Sequence, residues 1–68
     1  MNIEIIYHLY EIRTKKNISS GTLAKASGVG KTTINDIENN RHHPTILTLC
    51  MLAKALKVTP ERLYSYKF

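Results

Sequence analysis

SGTLAKASGVGKTTINDIE, residues 20–38, is the stretch that decides the fold. It predicts one helix over residues 20–27, which Ser19 can cap, then a short turn and a second helix over about residues 31–39. Gly28 stands where the first helix must end, and glycine adopts the left-handed backbone of such an end at little cost. Val29 is apolar inside the turn and can pack between two crossing helices. Two short helices joined in this way predict a helix-turn-helix unit.

Apolar spacing predicts a further helix before this unit. It covers about residues 3–16, where Ile5, Ile6, Leu9 and Ile12 recur three and four residues apart and form one apolar stripe. Strand signals are weak, because no two-residue alternation runs through the body of the chain. We therefore expect helices throughout.

The C-terminal part predicts a longer helix and a short one. Thr45 can cap a helix over about residues 46–57, and Thr59 can cap a last short helix with Pro60 at its first position. The expected core stripe of the longer helix is Ile46, Leu49, Leu52, Ala53 and Leu56. The fold class is therefore all-α, a compact five-helix domain that spans residues 1–68.

Length and charge limit the possible functions. The chain has 68 residues, with ten Lys and Arg against five Asp and Glu, giving a net charge of +5. One small domain cannot build a large enzyme cleft, and the basic excess suggests a polyanionic partner. The single cysteine, Cys50, cannot form an internal disulfide, and the lack of disulfides favours a reducing cytoplasm. Cys50 itself is expected to pack as a small hydrophobe. No apolar run approaches the roughly 20 residues of a membrane span, and no signal peptide is expected at the N-terminus.

Many positions agree together with one known family. They are Leu23-Ala24, Gly28-Val29, Thr33-Ile34, Ile37-Glu38-Asn39, Arg41, Pro44-Thr45, Thr48-Leu49, Leu52-Ala53-Lys54-Ala55-Leu56 and Val58. Over about residues 9–63 this pattern resembles the phage-repressor-like (Cro/C1, or Xre) helix-turn-helix family. The resemblance implies a lambda-repressor-like fold and a transcriptional regulator that binds double-stranded DNA sequence-specifically. A repressor acting by promoter occlusion is the simplest mechanism, since it requires no effector or catalytic domain.

The helical period predicts which side of the second helix in this unit meets DNA. At about 100° per residue, Thr32 and Asp36 point directly away from the apolar face, with Thr33 and Asn35 beside them. Lys31 lies at the N-terminal end, where such helices contact base edges. Lysine can donate to guanine, threonine can bond to either kind of group, and aspartate can accept from cytosine. The family resemblance implies the same residues. The alternative is that Lys31 and Asp36 are ordinary solvent-exposed charges.

Contacts to the DNA backbone are expected on either side of this helix. They position the domain, whereas base contacts specify the sequence. The predicted residues are Ser20, Lys25, Asn39, Arg41, His42 and His43. For the two histidines, a solvated loop without a DNA contact is an equally good interpretation.

A charge pair is predicted inside the domain. Arg13 lies beside the apolar stripe of the first helix, and Glu38 lies on the inward side of the third. A buried charge without a partner is costly, so the two side chains are expected to form a partly buried salt bridge. The family resemblance implies the same contact, and the alternative is two independent surface charges.

Apolar residues beyond the needs of one core suggest a homodimer. Leu47 and Met51 lie outside the core stripe of the fourth helix, and the aromatic tail 64–68 would be exposed in a monomer. The predicted interface is Leu47, Met51, Tyr64, Tyr66 and Phe68. Such a dimer would bind a palindromic operator with half-sites about one DNA turn apart. The alternative is a tail that folds onto its own core.

Other functions have weaker support. The run Gly28-Val29-Gly30-Lys31-Thr32 resembles the end of a phosphate-binding loop, but Lys25 stands where that motif requires glycine. The histidines and Cys50 lack metal-ligand spacing. We therefore expect no enzyme, cofactor or metal. The extra apolar surface leaves open an antitoxin-like subunit that binds a protein partner and also DNA.

Overall fold

One small antiparallel sheet pairs a strand near the N-terminus with a strand near the C-terminus, and the helices lie between these two strands along the chain. The computed structural model describes residues 2–68. Along the chain the elements are β1 (Glu4–Tyr7), α1 (Leu9–Lys15), α2 (Ser20–Ser27), α3 (Lys31–Glu38), α4 (Ile46–Leu56), a 3-10 helix (Pro60–Leu63) and β2 (Tyr64–Lys67). Residues 2–68 therefore form a compact helical domain with four α-helices and a two-stranded sheet.

The prediction of an all-α, five-helix fold was therefore partly wrong. Residues 4–7 were expected to start the first helix, but they form β1 and pair with β2 in the register Glu4–Lys67 to Tyr7–Tyr64. The backbone groups of these short strands bond to each other across the sheet, and the spacing within residues 4–7 alone does not reveal a partner at the other end of the chain. The fifth helix is a single 3-10 turn, and Thr59 makes no capping hydrogen bond with its side chain.

Side-chain caps fix the start of two helices, as predicted. The Ser19 and Thr45 hydroxyls accept hydrogen bonds from the backbone N–H groups of Thr22 and Thr48, both at 3.1 Å. The chain leaves α1, α3 and α4 through residues in the left-handed conformation, namely Asn17, Asn40 and Lys57. These ends satisfy carbonyl groups that the helices leave unpaired.

One core joins all the helices. Its buried members are Leu9, Leu23, Val29, Ile34, Ile37, Leu49, Leu52, Ala53, Leu56 and Leu63. Three residues of α4 differ from the prediction. Ile46 is 72% exposed, because it opens the first turn of α4 and lies at a surface groove beside the sheet. Cys50 is exposed, whereas Met51 packs partly against the core.

Across residues 2–68, none of the helices combines the length and apolar character needed to cross a lipid bilayer.

Candidate nucleic-acid interface

The turn between α2 and α3 sets the position of α3. Gly28 has φ = 79°, the left-handed conformation predicted for it, and its N–H donates to the Ala24 carbonyl at 3.0 Å. The next N–H, of Val29, donates to the Ser27 hydroxyl at 3.1 Å, while the Val29 side chain is buried in the core. The N–H groups of Gly28 and Val29 are thus satisfied locally, and the valine side chain lies in the core that α2 and α3 share.

The two sides of α3 differ sharply in burial. Ile34 and Ile37 are fully buried. On the other side Thr32 is exposed, as the helical period predicted, and Lys31 is exposed at the N-terminal end of the helix. The remaining predicted base-contacting residues, Thr33, Asn35 and Asp36, are half-buried. The structure therefore brings these five polar residues together on and beside the outward side of α3.

The inner side of α3 is attached to α1 by the predicted salt bridge. The Arg13 Nε donates to Glu38 Oε2 at 2.8 Å, and Nη2 donates to Oε1 at 3.1 Å. The Arg13 Nη1 donates to the Ile18 carbonyl at 3.0 Å, just before α2 begins. Because the two side chains are only 11% and 7% exposed, this bidentate pair holds α1, α3 and the turn before α2 together in a largely dry site.

The loop after α3 folds back onto the helix. Asn40 adopts φ = 57°, which lets the Arg41 N–H donate to the Asp36 carbonyl at 2.8 Å. The Arg41 Nε also donates to Asp36 Oδ1 at 3.2 Å, and the Asn39 amide donates to the Asn35 carbonyl at 2.8 Å. Asn39 and Arg41, both predicted to contact DNA phosphates, thus lie next to two of the predicted base-contacting residues.

The other predicted phosphate-contacting residues occupy three places. Ser20 is half-buried at the first position of α2, and Lys25 is exposed in its last turn. His42 and His43 are exposed in the loop, and His43 Nδ1 lies 2.8 Å from the hydroxyl of Tyr7.

Tyr7 is a residue that sequence reasoning missed. It lies on β1, packs partly against the core, and fixes the ring of His43 in the loop that follows α3. Burial raises the pKa of the Tyr7 phenol. Only a correct prediction of the strand could have placed Tyr7 near this loop, which lies 36 residues further along the chain.

Few charges near α3 remain outside ion pairs. Among residues 2–68 the ion pairs are Arg13–Glu38, Lys15–Glu11 and Arg41–Asp36, so Lys25 and Lys31 belong to none of them. In the same part of the chain, no cluster of three or more His, Cys, Asp or Glu side chains could hold a metal ion.

The predicted dimer residues do not all lie on the surface. Leu47, Tyr66 and Phe68 are exposed, Phe68 by 87%, and the Tyr66 and Phe68 rings lie with their centres 5.0 Å apart. Met51 and Tyr64 instead pack partly against the core of their own chain. The alternative expectation, a tail folded onto its own core, therefore holds for Tyr64 but not for the last residues.

Comparisons with known proteins agree with this geometry. A helix-turn-helix family model of the Cro/C1 type matches residues 9–63. The chain is similar to the restriction-modification controller protein C.AhdI from Aeromonas hydrophila, with 31% sequence identity and a TM-score of 0.78. The match covers 81% of this chain and 83% of that one. No curated protein matches.

Proposed function

The chain belongs to the Cro/C1-type helix-turn-helix family of DNA-binding transcriptional regulators, and from this premise we propose that it is a sequence-specific repressor. In this proposal α3 lies in the major groove of double-stranded DNA, and the bound protein blocks a promoter. The observation that carries it is the contrast between the two sides of α3. Its inner side is fixed by buried isoleucines and by a salt bridge, while its outer side presents polar groups to the surroundings.

The exposed start of α3 is the proposed base-reading end. Lys31 can donate to guanine O6 and N7, and Thr32 can bond to a base edge or place its methyl group against thymine. Thr33, Asn35 and Asp36 lie in the same helix with part of each side chain exposed. Since helices of this kind contact bases chiefly through their N-terminal residues, we expect Lys31 and Thr32 to contribute most to specificity.

The flanking residues are the proposed phosphate contacts. Ser20 and Lys25 lie on α2, which crosses the DNA backbone in this motif. Asn39, Arg41 and the two histidines lie in the loop on the other side of α3. Of the histidines, His43 is the better oriented because Tyr7 fixes its ring.

A homodimer is the proposed binding form. The exposed apolar side chains are Leu47 at the start of α4, Tyr66 on β2 and Phe68 just after β2. Burying them against a second copy would remove them from water. Ile5 pairs directly with Tyr66 across the sheet, and directly paired residues lie on the same face. Ile5 therefore extends this surface, whereas Met51 and Tyr64 contribute less because they pack on their own core.

Selection of bound duplexes from a random library tests the proposal. We expect a palindromic consensus for the unaltered protein and loss of enrichment for the Thr32→Ala, Lys31→Ala double variant. Arg62→Ala is the matched control, because it removes an exposed cation from the 3-10 helix and should leave the consensus unchanged. A protein that folds yet enriches no sequence would refute sequence-specific regulation.

Sedimentation tests the dimer separately. The unaltered protein should associate at micromolar concentration, and Tyr66→Ala should weaken the association. A monomer at high concentration, unchanged by this substitution, would contradict the dimer. It would favour the second candidate, an antitoxin-like subunit whose exposed Ile46 and Leu47 meet a different protein.

Control of restriction-modification genes is one specific form of the proposed function. It rests on the 31% identity to a controller protein of such a system. The selected consensus tests it, since the matching genomic sites would have to precede genes of that kind.

A further inference from the structure

Asp36 and Arg41 form one structural unit at the outward side of α3. Two hydrogen bonds join them: the Arg41 backbone N–H donates to the Asp36 carbonyl at 2.8 Å, and Arg41 Nε donates to Asp36 Oδ1 at 3.2 Å. The left-handed Asn40 makes the turn that brings them together. The main-chain bond fixes where the arginine side chain begins, and the carboxylate fixes the direction in which its guanidinium lies.

The unit leaves hydrogen-bond donors available. A guanidinium carries five N–H donors, and Asp36 uses only the one on Nε. Within residues 2–68, the Nη1 and Nη2 groups of Arg41 form no hydrogen bond, and the side chain is 64% exposed. The Asp36 side chain is 36% exposed, so the pair remains open to solvent on the side where DNA is proposed to bind.

We propose that Arg41 reads a guanine in the major groove and that Asp36 is the positioning residue that holds it for this contact. This inference rests on the proposed function and deepens it, because it assigns specificity to a residue otherwise expected to bind phosphate. The Arg41 Nη groups donate to guanine O6 and N7, the commonest specific contact between a side chain and a base. Asp36 then acts through Arg41 and does not itself accept from cytosine.

Electrostatics favours a base over a phosphate as the target. A carboxylate 3.2 Å from the guanidinium cancels much of its charge and repels a phosphate approaching the same site. The cancellation leaves the direction of the Nη donors unchanged. Guanine offers two acceptors without net charge, so an arginine paired with a carboxylate suits a guanine edge better than a phosphate.

Duplex selection with a series of variants tests this inference. The unaltered protein should prefer guanine at one position of each half-site, and Arg41→Ala should lose that preference by about 5- to 150-fold. Asp36→Ala should relax the same position and no other, and the double variant should lose no more than Arg41→Ala alone. Arg41→Ala keeps the main-chain bond to Asp36, and thermal unfolding of each variant checks that the fold persists. Arg62→Ala again serves as the control.

Two results would overturn the inference while the proposed function stands. If Arg41→Ala weakens binding to all sequences equally and reduces the slope of log affinity against log salt concentration by about 1, Arg41 is a phosphate contact. If Asp36→Ala relaxes a position that Arg41→Ala leaves intact, Asp36 reads a base by itself. If even the unaltered protein enriches no sequence, the proposed function fails first, and the inference fails with it.

Discussion

Replacing Arg13 with alanine tests most sharply what holds α3 in place. Arg13 makes two hydrogen bonds to Glu38 and one to the Ile18 carbonyl, and its guanidinium carbon lies 5.2 Å from the centre of the Tyr10 ring. The hydrogen bond to Glu38 raises the pKa of the Arg13 guanidinium, and burial opposes this only in part. Arginine is in any case charged at every pH at which proteins fold. Alanine would therefore remove a permanent cation.

The magnitude follows from what the substitution leaves behind. The Glu38 carboxylate, whose side chain is only 7% exposed, would remain in the interior without its cation. Removing one partner of a buried pair costs about 3–5 kcal/mol. A domain of 68 residues has a free energy of unfolding of about 3–10 kcal/mol in total. We therefore expect Arg13→Ala to remove at least about a third of the stability, and to unfold the protein if its total stability lies at the lower end of this range.

A double-mutant cycle measured by urea denaturation isolates the interaction between the two side chains. It compares Arg13→Ala, Glu38→Ala and the double variant, and we expect a coupling free energy of about 2 kcal/mol or more. If the alanine variants do not fold, Arg13→Lys and Glu38→Gln provide a milder cycle. Glu11 and Lys15 are the matched control, since they form an exposed pair at 3.8 Å whose coupling should not exceed about 0.5 kcal/mol. A coupling for Arg13 and Glu38 no larger than that of the control pair would refute the reasoning.

Three further predictions concern the backbone and the sheet. Gly28→Ala should lower the free energy of unfolding by about 1–2 kcal/mol because of its positive φ. The new methyl group would lie 3.5 Å from the end of Met51, which is an ordinary contact, so backbone strain is the expected cause of the loss. Asparagine adopts this conformation more readily than alanine. A Gly28→Asn variant that loses more stability than Gly28→Ala would therefore contradict this cause. Lys57→Gly should instead raise the free energy of unfolding by about 1 kcal/mol, because glycine relieves the strain of φ = 59° at this position. The thermal midpoint should then rise, and a lowered midpoint would count against this reasoning. Burial raises the pKa of Tyr7, so its stabilising effect is present below the ordinary tyrosine pKa of 10.0 and is lost as pH rises through the folded value. The free energy of unfolding should then fall less steeply with rising pH in Tyr7→Phe than in the unaltered protein. An unchanged slope would show that Tyr7 does not contribute to this pH dependence.

The features predicted correctly depend on short spacings. The caps at Ser19 and Thr45, the left-handed Gly28 and the inward isoleucines of α3 each follow from residues within one or two helical turns of one another. The Arg13–Glu38 pair spans 25 residues, yet it could be predicted because two separate helical phases each placed a charge on an inward side. Local rules suffice where each element alone determines which way its side chains point.

The sheet could not be predicted in this way. Ile5, Ile6 and Leu9 fit a helical stripe as well as they fit a strand followed by a helix, so periodicity alone does not decide between the two. Pairing with residues 64–67 decides it, and those residues lie at the other end of the chain. The alternation Tyr64-Ser65-Tyr66-Lys67 is a period-two signal that could have identified β2 and thereby suggested a partner strand.

The charges near the candidate interface limit how the protein can bind DNA. Of the net charge of +5, residues 20–43 carry only +1, because three basic residues there face two acidic ones. Arg41 and Glu38 are also engaged in ion pairs, which leaves Lys25 and Lys31 as the cations of this region outside ion pairs. Each phosphate neutralised adds about 0.9 to the salt slope of binding, so one copy of the chain should show a small slope and weak non-specific affinity. We therefore expect specific affinity to come mainly from the proposed base contacts on α3 and in the loop after it, and from a second copy on the same duplex. A low charge around α3 thus favours a selective dimer over a protein that coats DNA of any sequence.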